Sequence, residues 1–509
     1  MSRFFHGGAP GAMTNVDGRL LALLIAIVGG CGDGSGSGVD AALAPDSSVP
    51  DATLDGARPT ARLAHPLIFV SQVPSDAGEF QVNDIHGNFR GDNPVRDQPV
   101  GGNLFRLDPG AAEPVNLTRL DDVAVRNPEV SWEGERVVFS MKRGARGLWQ
   151  LYEMGTDGTG LRQLTDTPYN ETEPVYLPDG RIAFASDRQG LLDAYENFPT
   201  GQLHVMDADG GNVRPLSSDP GGDTTPTVDE EGRLLFTRWS VTSKRPCETQ
   251  RQPIDFDEHF VSRFLLWRTA PDGRSDAHPI FGAHLIQDLH GGFVQARPLR
   301  DGTGRILTVM AQASTWGAGA LAIVDPADEV ATNGHAEDRI AFVTSPREYT
   351  DAEDVEVDDL PFGGRFRDPY PLAGGGIVAS YADGIVLNLS FDDPDAQQTP
   401  NFRLVHVAGS GGTPPVIYDD PTRWELEPVE VVARPRPPVI ADAIDWEATS
   451  GVLNVMDIAL DAGLPDDVPN PALRGEGPRG EAAWVHIYRG VPTQLVYPGL
   501  PGYRQIQPG

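Results

Sequence analysis

Leu151-Tyr-Glu-Met-Gly-Thr-Asp157-Gly158, then Leu164-Thr165-Asp166, then Pro174-Val-Tyr-Leu-Pro178-Asp179-Gly180-Arg181-Ile-Ala-Phe-Ala-Ser-Asp187-Arg188: this stretch decides the fold, because it returns almost at once. The second copy reads Leu203-His-Val-Met-Asp-Ala-Asp209-Gly210, Leu216-Ser217, and Pro226-Thr-Val-Asp-Glu-Glu231-Gly232-Arg233-Leu-Leu-Phe-Thr-Arg238-Trp239. Two leucine pairs give the interval, 203 − 151 and 216 − 164, or 52 residues. That period lies in the range of propeller blades and solenoid repeats. Within each copy, apolar and polar side chains alternate over short runs, as in half-buried strands. Asp-Gly pairs separate the runs, where tight hairpins need residues that tolerate positive φ. A four-stranded unit of this kind cannot bury both faces alone, so it must stack on copies of itself. Closing the stack into a ring leaves only short, protected edges. The expected fold is all-β, a β-propeller.

Working outward, the same pattern marks six blades. They begin near Pro66 (resuming at Asn103), Pro128 (resuming at Leu148), Pro174, Pro226 (resuming at Leu265), Pro298 (resuming at Ala320) and Pro369 (resuming at Phe402). After Gly412 the pattern loosens. Arg434-Pro-Arg-Pro-Pro-Val439 reads as an extended, polyproline-like strap. Val452–Asp457 and Trp484–Tyr488 each look like one more strand, in a small C-terminal extension. The expected divisions are residues 1–31, a targeting segment; 32–62, a flexible linker; 63–442, the propeller; and 443–509, the extension.

The amino-terminal segment has its own logic. Arg19 precedes the apolar run Leu20–Val28, which is too short to span a bilayer as a helix and fits a secretory signal, with Met13 an alternative start. Val28-Gly29-Gly30-Cys31 resembles the lipobox of bacterial lipoproteins, in which the cysteine is lipidated and becomes the first residue. A multiply acylated Cys31 would hold the chain on a membrane, since each buried methylene contributes about 0.8 kcal/mol. The Gly-, Ser-, Asp-, Ala- and Pro-rich residues 32–62 then read as a tether with too little apolar surface to fold.

Composition narrows the partners. Forty basic and 73 acidic residues give the 509-residue chain a net charge of −33. Phosphate-backbone binding needs clustered Lys and Arg, so no nucleic-acid partner is expected. Two cysteines, Cys31 and Cys247, offer neither a disulfide framework nor a zinc-type pair.

Leu164-Thr165-Asp166 through Pro178–Arg188 resembles the TolB-type, WD40-like repeat of periplasmic propellers. Further pieces, taken in order, are similar to the middle domain of the hydrazine synthase alpha subunit family. They are Leu235–Trp239, Gly319–Pro326, Asp368-Pro369-Tyr370-Pro371-Leu372, Tyr418–Pro421 and Arg434–Ile440. The resemblance covers roughly residues 65–460 and implies a six-bladed propeller. The family's redox chemistry rests on covalent haem, and this chain has no C-x-x-C-H, so no covalent haem of the usual c-type is expected.

Loop lengths suggest where ligands meet the ring. If the Pro-Asp-Gly turn joins the two inner strands of a blade, the next connection opens on the opposite face. Those connections are long at 72–102, 187–202, 240–264 and 382–401, and blade-to-blade connections such as 278–294 and 344–367 open on the same face. Insertions on one face of a repeat array often mark a binding face, the alternative being neutral loop growth. The candidates on that rim are Arg238 and Trp239, with His259, His284 and His290. Trp239 offers an apolar plane and Arg238 a planar donor for carboxylate or phosphate; the histidines offer neutral nitrogens. Asp257 and the same histidines form a candidate divalent-metal set, although no helical His-x-x-x-His spacing accompanies it. Arg238 and Trp239 have a plainer reading too, as a strand end packed between blades. Asp207-Ala-Asp209-Gly210 lacks the remaining ligands of a calcium loop and reads as a hairpin. No G-x-S-x-G elbow occurs.

The expected function is therefore that of an exported, lipid-anchored envelope protein. Its propeller binds or scaffolds a protein or small molecule, with no resident cofactor and no assigned catalytic residue. The alternative is an enzyme or a redox-complex subunit with a metal or small-molecule site at the propeller mouth.

Overall fold

A computed structural model describes residues 63–74, 100–192, 199–243, 260–274, 277–281, 291–311, 317–329, 340–344, 365–382, 400–408 and 414–448. Among these residues there are 24 strands and one four-residue helix, α1 (Pro326–Glu329). In chain order the strands are β1 (Leu67–Gln72), β2 (Asn103–Leu107) and β3 (Val115–Asn116), then β4 (Val123–Val130), β5 (Arg136–Arg143), β6 (Gln150–Gly155) and β7 (Arg162–Gln163). Next come β8 (Glu171–Tyr176), β9 (Ile182–Ser186), β10 (Gln202–Met206) and β11 (Arg214–Pro215), and β12 (Asp223–Val228), β13 (Leu234–Ser243), β14 (Phe260–Thr269) and β15 (His278–Phe281). The rest are β16 (Gly291–Pro298), β17 (Ile306–Ala311), β18 (Gly319–Val324) and β19 (Ile340–Phe342), β20 (Phe366–Pro371), β21 (Ile377–Ala382), β22 (Phe402–Val407) and β23 (Val416–Tyr418), and finally β24 (Trp424–Glu430).

Antiparallel pairing sorts these strands into six four-stranded units: β24-β1-β2-β3, β4–β7, β8–β11, β12–β15, β16–β19 and β20–β23. The last three also touch through short pairings from the third strand of one to the first strand of the next, two residue pairs between β14 and β16 and one, Gly319 with Phe366, between β18 and β20. The innermost strands pack in cyclic order, β24 on β4, β4 on β8, β8 on β12, β12 on β16, β16 on β20 and β20 on β24. The molecule is a closed all-β propeller. Its apolar core lies between blades, as where Trp132, Leu151, Phe184 and Phe236 share one cluster drawn from three units.

The ring closes through a strand far from its blade in sequence. The innermost strand of the first blade is β24, paired with β1 from Leu67↔Glu430 to Gln72↔Trp424. The loosened pattern expected after Gly412 therefore contains β23 and the closing strand. Its composition, Trp424-Glu-Leu-Glu-Pro-Val-Glu430, hides the apolar alternation because Glu425 and Glu430 are buried.

The six innermost strands share one irregularity. Each shifts register by a β-bulge, and each bulge begins with a non-glycine residue of positive φ: Asn127, Glu173, Thr225, Gln295, Asp368 and Glu427, all between 50° and 57°. Proline follows in five blades and Ala296 in the sixth, and a residue without an N–H suits a bulge, where no ladder bond is asked of it. The fifth blade therefore aligns on Ala296, two residues before the Pro298 that the sequence pattern favours.

The Leu-Thr and Leu-Ser pairs of the repeat have a specific job. The third strand's amide at Leu104, Leu151, Leu203 and Leu321 donates to Thr118 Oγ1, Thr165 Oγ1, Ser217 Oγ and Thr344 Oγ1, at 3.1, 2.9, 2.9 and 2.9 Å. The residue before each hydroxyl donates its own amide back to the same leucine's carbonyl. Replacing Thr165 with valine keeps the shape and strands the buried Leu151 N–H, at a cost of roughly 1–3 kcal/mol. A matching drop in the urea unfolding midpoint is the expected result; an unchanged midpoint would show that the hydroxyl is dispensable.

After β24 the chain runs without regular strand across the turns joining the first two strands of blades two, three and four. Arg434 N donates to Trp132 O at 2.7 Å, and Arg436 Nη1 to Pro178 O at 3.2 Å. Further on, Arg181 Nη1 donates to Asp442 Oδ1 at 2.9 Å. Gly232 lets the strap pass: its φ is 84°, and a Cβ there would stand 2.1 Å from the Pro438 carbonyl oxygen. The strands expected at Val452–Asp457 and Trp484–Tyr488 lie outside the described residues, as do residues 1–62.

Candidate functional site

Because the bulges recur, they place equivalent side chains in layers around the axis. The first layer is made by the bulge residues themselves, and it is stitched from blade to blade. Glu427 accepts from the Asn127 backbone N–H and, at 3.2 Å, from Asn127 Nδ2. Glu173 Oε2 accepts from Thr225 N at 2.8 Å, Gln295 Oε1 from Asp368 N at 2.7 Å, and Asp368 Oδ2 from Glu427 N at 3.2 Å. Where the belt skips from blade two to blade three, Ser140 Oγ accepts the Glu173 amide instead, at 3.1 Å. Five of the six strained amides, all but that of Gln295, thus meet a side-chain oxygen, which helps to hold positive φ at non-glycine positions. The acids of the belt feel their burial. Burial, and then the neighbouring Asp368, push Glu427 up to about 7, and burial likewise raises Glu173.

Two residues further along each strand lies a second layer, toward the strap: Glu129, Val175, Thr227, Arg297, Tyr370 and Val429. Glu129, Arg297 and Tyr370 bring their polar groups together here, and the strap supplies a fourth. Arg297 Nη1 donates to Glu129 Oε2 at 2.9 Å, and Arg434 Nη2 donates to Glu129 Oε1 at 3.0 Å and to the Val130 carbonyl. Arg434 Nη1 donates to the Tyr370 hydroxyl at 3.1 Å. Arg300 joins from the turn after β16, donating to Val228 O at 3.1 Å with its guanidinium 5.0 Å from the centre of the Trp132 ring. The Arg434 guanidinium lies 5.1 Å from the centre of the same ring. Glu129 is buried, and burial alone would raise its carboxyl; Arg434, Arg297 and Arg300 outweigh that and hold it below the usual range. Burial, and then Arg434, lower Arg300 to about 10. Residues from blades two, four, five and six and from the strap therefore converge on one charged cluster.

The residues singled out by sequence lie elsewhere or outside the described set. Arg238 is buried and clasps Asp223 in two parallel bonds, Nε to Oδ1 at 2.6 Å and Nη2 to Oδ2 at 2.9 Å. Its guanidinium lies 4.4 Å from the centre of the Trp267 ring. Trp239 is 2% exposed and stacks on Phe264 with ring centres 5.8 Å apart. This is the packing alternative given for both residues, so neither offers an open ligand surface. Asp257, His259, His284, His290, Cys31 and Cys247 lie outside the described residues. No group of three or more metal-ligating side chains occurs among the described residues. The Asp-Gly pairs are hairpins: Gly158 and Gly210 have φ of 85° and 94°, and Asp209 Oδ1 accepts from Gly211 N at 2.9 Å.

Sequence reasoning missed the charged cluster because its members are ordinary surface-type residues scattered over 129–434. Aligning the six bulges would have found most of it, since Glu129, Arg297 and Tyr370 occupy one repeat position.

No protein-family model matches the chain. It is 23% identical over 392 residues to the hydrazine synthase subunit alpha of Kuenenia stuttgartiensis, covering 67% of this chain and 42% of that protein. An uncharacterised protein of Agrobacterium fabrum is 26% identical over 164 residues, 32% of this chain and 50% of its own length. The chain thus spans half or less of these curated relatives. Among solved structures, Kuenenia stuttgartiensis hydrazine synthase superposes with a TM-score of 0.52 at 20% identity, covering 74% of this chain and 48% of that one. TolB from Acinetobacter baumannii gives a TM-score of 0.40 at 11% identity, covering 72% and 67%. In the fold of its β-propeller, the chain is similar to the hydrazine synthase alpha subunit.

Proposed function

We propose that the chain is an exported envelope lipoprotein whose propeller works by binding, tethered through Cys31. One observation carries the reading: β24 closes the first blade, so the chain enters the ring at β1 from the face crossed by the strap. Antiparallel order puts the connections between second and third strands, and between blades, at the opposite face. A tether of residues 32–62, with a root-mean-square reach of roughly 30 Å for a flexible chain of that length, would join the strap face to the membrane. The opposite face would then be turned toward partners, with a protein or small molecule as the ligand. A propeller of rigid, hydrogen-bonded innermost strands suits this task, since binding to a preorganised surface loses little conformational entropy.

Changing Cys31 to serine is expected to move the protein from the membrane fraction to the soluble exported fraction, read by fractionation after a salt wash. A variant that stays with the membrane would reject anchoring through this residue.

A further inference from the structure

We propose that the strap-covered cluster of Arg297, Arg300 and Arg434 around Glu129 is a binding site for a small dianionic oxyanion of the phosphate class. The inference rests on reading the propeller as a binding module and names a ligand class for it.

The charges do not balance from within. Three guanidinium groups face one carboxylate, Glu129, and a neutral hydroxyl, Tyr370. Among the described residues, Arg300 pairs with no carboxylate; its one hydrogen bond goes to the Val228 carbonyl. Arg434 Nε is buried and has no hydrogen-bond partner, while its side chain is only 9% exposed. A local excess of two positive charges is the reverse of the chain's overall −33, so general surface electrostatics do not account for it. Uncompensated buried charge is costly, and like charges packed together raise that cost. A dianion would remove the excess.

The donors also suit that ligand. Guanidinium groups present planar N–H forks that match phosphate oxygens, and several of these donors are unused here. They come from two independently positioned elements, the turn after β16 and the strap, so a bound anion would tie the strap to the ring. Glu129 organises the arginines and at the same time keeps the site selective: with it ionised, a monoanion leaves a positive charge uncompensated. Trp132 walls the site, with Arg300 and Arg434 each near its ring.

Isothermal titration of the full-length chain with inorganic phosphate at pH 7.5 and constant ionic strength tests this. Saturable binding at one site is expected, with chloride inactive. Arg300→Gln and Arg434→Gln should each weaken binding about tenfold or more, as loss of a charge-assisted contact does. Arg300→Lys, which keeps the charge and the fold but loses the fork, should fall between. Glu129→Gln should bind phosphate more tightly, because three arginines then face the anion. Absence of saturable binding in the folded wild type, or equal affinity in wild type and Arg300→Lys and Arg300→Gln, overturns the proposal. A chain held by vesicles containing phosphatidic acid but indifferent to free phosphate would overturn the free-ion site in favour of a lipid headgroup. None of these outcomes changes the Cys31→Ser fractionation, so failure here and failure of the anchoring reading are separable.

Discussion

Replacing Asp223 with alanine is expected to destabilise the propeller by about 3–5 kcal/mol, the cost of taking its main partner from a buried charge, with only the part-exposed Asp219, 3.6 Å away, left beside Arg238. Asp223 is 0% exposed and Arg238 6%. The carboxylate takes both arms of the guanidinium and also the Ser217 hydroxyl, at 2.5 Å. Ser217 is the residue that satisfies the Leu203 amide, so one substitution disturbs an ion pair and a repeat hydrogen bond together. Burial is the larger influence on the Asp223 carboxyl and lifts it above its ordinary value in spite of Arg238. At Arg238, burial opposes the charge but Asp223 outweighs it, and the guanidinium is held above its usual value. These two shifts pull in different directions for an ion pair. The geometry decides for ionisation, since a neutral carboxyl could not accept both N–H groups at such distances. A urea unfolding curve reads the effect. The double variant Asp223→Leu, Arg238→Met should recover much of the loss, because no charge is then left buried. A double variant no better than Asp223→Ala would mean that packing, and not the buried guanidinium, sets the cost.

Changing Glu425 to glutamine should stabilise the protein above neutral pH and flatten its pH dependence. Glu425 lies on the closing strand, 0% exposed. Its hydrogen bonds are long, from Ser71 Oγ at 3.5 Å and from Asp420 N at 3.3 Å. Burial, and then the nearby carboxylates Asp419 and Asp420, push it up from 4.5 to about 9. Between those two values the folded chain holds a proton that the unfolded chain has released, so stability falls as pH rises from about 4.5 to about 9. The loss attributable to this group is on the order of several kcal/mol across that window. Glutamine keeps the acceptor without the charge. The difference in unfolding free energy between Glu425→Gln and wild type should therefore grow from pH 5 to pH 9. A constant difference would mean that Glu425 titrates normally. The buried His204 acts at the other end: burial lowers it to about 4, so its contribution is present above about 6.5 and fades as pH falls toward 4.

How much of this was legible beforehand follows from where each signal resides. The Asp-Gly hairpins and the Leu-Thr and Leu-Ser pairs are local, each confined to a few consecutive residues, and the 52-residue interval shows them doing the same work in successive blades. Alternation and turn chemistry operate over that distance, so the sequence by itself determined an all-β propeller and the approximate start of blades two to six; Pro66 marks only the second strand of blade one, whose innermost strand is β24. The blade-five alignment slipped from Ala296 to Pro298 because proline marks the bulge in the other five blades, whereas a bulge is a backbone shift that no single residue type enforces.

Ring closure and the charged cluster depended on tertiary structure. The Leu67↔Glu430 pairing and the Arg434–Glu129 bond join residues more than 300 positions apart, and no periodic pattern links them. Arg238 shows the difference most directly. From its sequence neighbours alone it reads either as an exposed ligand donor or as a packed residue. Only the fold brings up Asp223 on the paired strand and Trp267 at its face, and so makes burial of its charge affordable. Repetition in the sequence determined the blades, and the shared axis decided which side chains meet, because a closed ring brings equivalent positions of distant repeats within hydrogen-bonding distance.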